Sequence, residues 1–368
     1  MVTVAFRADA SIRIGTGHVM RCLTLARVLR EQGAECTFIT RQHQGHLVEM
    51  LESEGFPVIR LLAKRNGEAA EENSADYTSW LGGSPEEDAR DCLAAIEGKQ
   101  LDWLVVDHYA LDAGWETRLK PHVGQIMVID DLANRPHDCA LLLDQNLGRS
   151  AADYDHLVPD DCVRLIGPKY ALLRPEFAEL RESSLARRKH PELKRILISL
   201  GGVDRTNITG QVLDALSKTT LPADIHLDIV MGSAAPFLDE VRQQVDQLPY
   251  RATVNVDVND MAARMHLADL SIGAAGGTSW ERCCLGLPVV LLVLADNQIT
   301  GAKALEATGA AIVISHADAI QAAMSLLLAK AGPRNCLQQM SNAAAAITNG
   351  EGTPGAAEFL MTLAGRPH

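Results

Sequence analysis

The 368-residue chain carries 34 Lys and Arg against 47 Asp and Glu, a formal net charge of −13, which argues against a nucleic-acid footprint or a binding face for anionic membranes. Its 47% hydrophobic and 22% charged fractions are those of a globular chain, not a disordered one, and its length suits two ordinary domains. Eight scattered cysteines without a CxxC spacing predict reduced, buried thiols, and no apolar window suits a signal peptide or a membrane span, so a cytoplasmic enzyme is expected.

Strands and helices alternate from the start. VTVAFRAD (2–9) reads as a short buried strand running into the glycine loop IGTGH. The apolar spacing of VMRCLTLARVLREQG (19–33) then predicts a helix closed by Gly33. ECTFIT (35–40) and PVIRL (57–61) read as strands around a helix over 44–55. The polar stretch 65–85 reads as a surface loop, and a helix over 86–100 follows with acidic residues in its first turn, as the helix dipole prefers. DWLVVDHY (102–109), QIMVIDD (125–131) and ALLLDQN (140–146) supply further strands.

After a charged stretch, 180–194, the pattern restarts with RILISLGG (195–202). Strands are predicted over 225–232, 252–258, 269–277 and 289–295, alternating with helices over 207–216, 237–248, 261–268, 278–288 and 299–309. The fold class expected is α/β, two Rossmann-like domains with parallel sheets. The first spans 1–180 and the second 190–345. A tail, 346–368, holds a Gly/Thr/Pro loop and a short helix over 356–363.

Ligands of open α/β sheets bind beyond the carboxyl ends of the strands, and four segments sit there. Gly15-Thr16-Gly17-His18 joins the first strand to the first helix; the glycines leave room for a ligand, and a histidine at a helix N-terminus is disfavoured as imidazolium, hence competent as a base. Gly276-Gly277-Thr278-Ser279, with Glu281 after it, suits a diphosphate cradle or, as a purely structural device, a capping box of Thr278 and Glu281. Ser199-Leu200-Gly201-Gly202, leading to Arg205, opens the second half as the first loop opens the first. Asp296-Asn297-Gln298 is placed to read sugar hydroxyls, or simply to cap a helix.

Asp107-His108-Tyr109 and Asp130-Asp131 end two strands of the first half. Adjacent carboxylates raise the question of a metal, yet Asp130 and Asp131 point opposite ways if extended and no second cluster accompanies them. No metal is expected, and Asp107 or His108 is better used to orient His18 or a bound sugar. P-loop, GxSxG and HExxH motifs are absent, and IGTGHVM departs from the dinucleotide fingerprint.

Taken in order, RADASIRIGTGHVMRCLTLA, DHY, DD, GPKYALLRPEF, SLGGVDRTN and GAAGGTSWERCCLGLPVVLLVLADNQ resemble the PseG family across about residues 1–345. These are UDP-2,4-diacetamido-2,4,6-trideoxy-β-L-altropyranose hydrolases of pseudaminic acid biosynthesis, related to MurG-type glycosyltransferases. The resemblance implies a GT-B fold, with two Rossmann-like domains facing a cleft and UDP held mainly by the second. It also implies inverting hydrolysis at the anomeric carbon without metal or cofactor, with His18 as the base that activates water. Within the matching motifs, substrate contacts are implied at Gly15, Gly17, Arg21, Asp107, Tyr109, Asp131, Tyr170, Gly201, Gly202, Gly276, Gly277, Thr278, Glu281, Asn297 and Gln298. The expected partner is a small-molecule UDP-sugar, with neither nucleic acid nor membrane. A glycosyltransferase using a UDP-sugar donor, a UDP-sugar 2-epimerase and a non-catalytic nucleotide-sugar binding protein are the alternatives.

Overall fold

The computed structural model describes residues 1–63, 77–329 and 333–364. Two parallel sheets organise the chain. The first has seven strands: β1 (Thr3–Ala8), β2 (Glu35–Arg41), β3 (Val58–Leu61), β4 (Trp103–Asp107), β5 (Gln125–Ile129), β6 (Leu141–Asp144) and β7 (Val163–Ile166). They lie in the order β3-β2-β1-β4-β5-β6-β7. The second has β8 (Arg195–Ser199), β9 (His226–Met231), β10 (Arg251–Val256), β11 (Leu270–Ala274), β12 (Val289–Leu292) and β13 (Ala311–Ile314), in the order β10-β9-β8-β11-β12-β13.

Period-two side-chain alternation explains how the first sheet buries both faces. Val4, Phe6 and Ala8 of β1, with Trp103 and Val105 of β4, pack into one core against the helix Gly17–Glu31. Ala5, Leu104 and Val106 point the other way, into a core with Trp115, Leu119 and Cys92. Arg7 also faces that second side, where a charge would be costly alone. It is fully buried and grips Asp9 (2.6 and 2.8 Å) and Asp88 (3.1 and 2.7 Å), while Arg41 adds a 2.8 Å contact to Asp88. In the second sheet, Ile196, Ile198, Ile229, Ile272, Val290 and Leu292 form a separate core.

Two compact units result: Met1–Leu172 with Gly352–His368, and Leu173–Glu351. The expected break between 180 and 190 overlaps a helix, Pro175–Arg187, that belongs wholly to the second unit. Packing explains this: Arg181 donates to the carbonyls of Cys284, Thr348 and Ala345, and Arg188 to those of Leu285, Ala268 and Met265. The expected tail is part of the first unit. Its helix begins at Gly352, within the stretch expected to be a loop, because Pro354 sits in the first turn, where a missing N–H costs nothing. Ala356, Ala357 and Leu360 enter the core beside the helix Gly17–Glu31, and Trp103 Nε1 donates to the Leu360 carbonyl at 2.9 Å.

Gly352 allows that docking. A Cβ at this position would run into the backbone of Tyr170 and Ala171. Gly352→Ala is therefore expected to cost about 1–3 kcal/mol, as overpacking does, read as a lowered midpoint in denaturant. An unchanged midpoint would show that the helix docks with slack.

Of the segment expected to be a surface loop, 64–76 lies outside the described residues, and Tyr77–Trp80 forms a turn of 3₁₀-helix. The helix after it starts at Pro85 under a complete capping box of Ser84 and Glu87. All eight cysteines are unbonded, seven of them buried. No described helix is long and apolar enough to cross a membrane.

Candidate active site

Strand order reverses between β1 and β4 in the first sheet and between β8 and β11 in the second. Crevices at such switch points, outside the carboxyl ends of the strands, are where open sheets take ligands. His18 follows β1 and Asp107 ends β4, so the first switch point brings together residues 89 positions apart. His18 occupies the first turn of the helix Gly17–Glu31, reached through Gly15 at φ +80°, a left-handed conformation that favours glycine. Space beside both Gly15 and Gly17 is open, as a site for a ligand requires.

His18 Nδ1 lies 2.6 Å from Asp107 Oδ1. Arg21, one turn on, donates Nε to Asp107 Oδ2 (2.6 Å) and Nη2 to Oδ1 (2.7 Å), and Nη1 to Asp131 Oδ2 (2.7 Å). Tyr109 donates its hydroxyl to the same Asp131 oxygen at 2.8 Å. Burial alone would push the Asp107 carboxyl up, but Arg21 and His18 outweigh it and hold it well below the usual carboxylate range. A fixed carboxylate accepting from Nδ1–H leaves Nε2 of a neutral ring with the free lone pair. Burial, with Asp131 nearby, pushes the Tyr109 phenol well above its ordinary value, so it stays a hydrogen-bond donor.

Aromatic rings wall this base. The Tyr109 ring meets His18 edge-on with centroids 4.6 Å apart, and Trp80 stacks on Tyr109 at 5.6 Å and stands 6.2 Å from His18. Tyr77 touches both Trp80 and Tyr109. Neither Tyr77 nor Trp80 was expected at the site; the cue was available as the only aromatic pair in an otherwise polar stretch. His108, by contrast, finds its partners elsewhere. Its Nδ1 accepts from Ala110 N at 3.1 Å, so Nε2 carries the proton and faces Asp9 Oδ2 at 3.5 Å. Burial pulls the His108 ring down to about 3, Asp9 offsetting only part, so the ring is neutral.

Asp130 and Asp131 diverge, as extended geometry requires. Asp131 joins the Arg21–Tyr109 cluster, and Asp130 binds Arg135, Tyr154 and the Leu132 and Ala133 amides. Tyr170 instead packs on the core of the first unit, with the Lys169 ammonium 4.8 Å from its ring centroid. Among the described residues, no group of three or more His, Cys, Asp or Glu has a metal-holding arrangement.

At the switch point of the second unit, the loops after β8 and β11 present Gly201, Gly202 and Gly276 with open space beside each. Gly201 has φ +103°. Thr278 and Glu281 do not form a capping box: the cap position is Gly277, and Thr278 is already helical. Those first amides are thus left without a side-chain cap. Glu281 is raised by burial, with Arg174 (3.8 Å) pulling it back. Beneath the loop, buried Arg282 donates Nη1 to the Ala274 carbonyl at 3.0 Å, while its Nε and Nη2 and the Ser279 hydroxyl have no partner. Burial draws the Arg282 guanidinium down to about 10.

The helix after β8 is closed by its own residues. Asp204 accepts from the amides of Ile208 and Thr209, and Asn207 from Gly210. Asn297 lies in a short 3₁₀ turn, Asp296–Gln298, while Gln298 spends its Oε1 on the Leu294 amide at 3.0 Å, tying that turn together.

Residues 196–354 match the family model of the glycosyltransferase family 28 C-terminal domain. The chain is 25% identical over 296 residues to an uncharacterized protein of Methanocaldococcus jannaschii, covering 78% of this chain and 55% of that one, so it spans about half of that relative's length. It is 26% identical over 306 residues to the UDP-2,4-diacetamido-2,4,6-trideoxy-beta-L-altropyranose hydrolase of Campylobacter jejuni, covering 83% of this chain and 97% of the relative. Among solved structures, MurG of Acinetobacter baumannii superposes with a TM-score of 0.70 at 16% identity, over 99% of this chain and 100% of that one. The chain therefore has two Rossmann-like, parallel-sheet α/β domains, the fold of GT-B structures such as MurG, and its second domain matches the glycosyltransferase family 28 C-terminal domain model.

Proposed function

We infer that the chain hydrolyses a UDP-linked 2,4-diacetamido-2,4,6-trideoxyhexose at the anomeric carbon with inversion, releasing UDP and the free sugar for pseudaminic acid biosynthesis. The observation that carries this reading is the 2.6 Å contact of His18 Nδ1 with Asp107, a carboxylate that Arg21 grips with two nitrogens. Asp107 holds the ring in one tautomer, and Nε2 takes a proton from water as the water oxygen bonds to the anomeric carbon. The bond from that carbon to the diphosphate oxygen breaks, and UDP leaves with the electron pair. Uncapped amides at Gly276–Thr278 and the cation of Arg282 beneath them suit the charge that develops on the diphosphate. One displacement from the opposite face inverts the centre.

The rings of Tyr77, Trp80 and Tyr109 support a sugar with few hydroxyls, because they offer apolar surface beside the base. The likeness to the Campylobacter jejuni hydrolase supports water as the acceptor. A second reading, a glycosyltransferase with a UDP-sugar donor, is favoured by the family 28 match over 196–354. The two separate on one experiment: purified protein, candidate UDP-diacetamido sugars and oxygen-18 water, with products read by NMR and mass spectrometry. Hydrolysis at carbon puts the label in the sugar and none in UDP. Label in the phosphate overturns the mechanism, and UDP release that waits for an added hydroxyl acceptor makes the enzyme a transferase.

A further inference from the structure

Behind Asp131 lies a cluster whose protons can be counted. Tyr154 is fully buried, and its hydroxyl oxygen is 2.9 Å from Asp130 Oδ2 and 2.9 Å from Asp144 Oδ2. A phenol owns one proton and can donate to one of them. With both carboxyls ionised, the other contact would set a carboxylate against an oxygen lone pair in a fully buried cluster. A proton on one carboxyl, donated to the phenol, removes that conflict. Asp130 is the better-compensated anion: it accepts from Arg135 Nη1 at 2.8 Å and from the amides of Ala133 (2.7 Å) and Leu132 (3.2 Å). Asp144 has the Asn146 amide and side chain at 2.8 Å each, with Arg149 Nε only at 3.4 Å.

We propose that Asp144 is a positioning residue that works as a neutral carboxylic acid, donating Oδ2–H to Tyr154, which donates in turn to Asp130. Its other oxygen then accepts both nitrogens of Asn146, whose side chain also reaches Asp131 Oδ1 at 3.1 Å. Asp131 anchors Arg21 and Tyr109, and Arg21 holds Asp107 against His18. A neutral Asp144 seats Asn146 without adding a third negative charge beside Asp130 and Asp131. Other charged groups around it are occupied elsewhere: Arg135 and His137 face Asp130, Arg164 pairs with Asp155, and Lys169 covers Tyr170. In agreement, burial and then Asp131 push the Asp144 carboxyl up to about 7.

The link to turnover rests on the reading of His18 above; the link to stability does not. A carboxyl raised in the folded protein binds more protons folded than unfolded, so its favourable contribution is lost as pH rises from about 4 to about 7. Asp144→Asn cannot ionise and keeps a donor toward Tyr154. The melting temperature of D144N minus that of the native protein should thus widen in favour of the variant by roughly 5 °C or more between pH 4.5 and 8. A difference that stays flat, or narrows with rising pH, overturns the proposal. Should D144N not fold, infrared difference spectra of the native protein decide: the carbonyl band of a buried protonated carboxyl must disappear between pH 6 and 8.5, and its absence at pH 6 overturns it. For turnover, ionisation of Asp144 should lower the kcat of the native protein above about pH 7, and that fall should be lost in D144N; superimposable profiles would remove Asp144 from the positioning role.

Discussion

Replacing His18 by Asn should lower kcat by about 10²–10⁴-fold, the range for removing a positioned general base, with KM and the affinity for UDP nearly unchanged. The separation is expected because His18 belongs to the first unit, bound to Asp107, while the open glycine loops inferred to hold the diphosphate belong to the second. A ground-state binding role would instead raise KM at constant kcat. The measurement is steady-state turnover beside UDP titration calorimetry on the same preparation, with a thermal melt to confirm that the variant folds. Turnover within a few-fold of the native protein would remove His18 from the reaction.

Replacing Arg7 by Met should cost about 3–5 kcal/mol, the penalty for removing one partner from a buried ion network. Asp9 and Asp88 are each at most 1% exposed, and Arg7 contacts both with two nitrogens. Arg41 and the Trp115 indole would still reach Asp88, but Asp9 would lose its main cationic partner. For a unit of this size the melting temperature should drop by roughly 6–20 °C. The pH dependence carries a sign. Burial raises Asp88, but Arg7 and Arg41 more than reverse it and bring the carboxyl to about 2. Its contribution is present above the unfolded value near 4 and lost as pH falls toward 2. The native protein should accordingly lose stability between pH 4 and 2 more steeply than R7M; parallel acid limbs would show that the network is not the source.

How far these features could be read in advance follows from the range of the interactions. Strand–helix alternation is local, so both parallel sheets were legible in the apolar runs and in the glycines that end them, except for the edge strands Val163–Ile166 and Ala311–Ile314, which were not expected. His18, Asp107, Tyr109 and Asp131 drew notice in the glycine loop and at strand ends, and Arg21 only through the family resemblance; the hydrogen bonds that join the five are what the structure adds. Tyr77 and Trp80 were not, because polarity dominated a segment whose aromatics matter only through contact with Tyr109. Thr278 and Glu281 had the spacing of a capping box, but the helix begins one residue earlier than that device needs. Tyr154 and Asp144 are ten residues apart and carry no motif; only the two equal distances from the Tyr154 oxygen, to Asp144 and to Asp130, bring them into question. The destination of the final helix is likewise a long-range matter, decided by a glycine that fits against Tyr170 and Ala171.

That final helix sets an order of assembly during translation. Leu173–Glu351 is contiguous and can close its core as soon as it leaves the ribosome, whereas the unit that begins with Met1 lacks Ala356, Ala357 and Leu360 until synthesis has passed them. Residues made before the second unit are thus among the last to be sealed, and the nascent first unit waits with the face of its His18 helix that receives Ala356, Ala357 and Leu360 still uncovered.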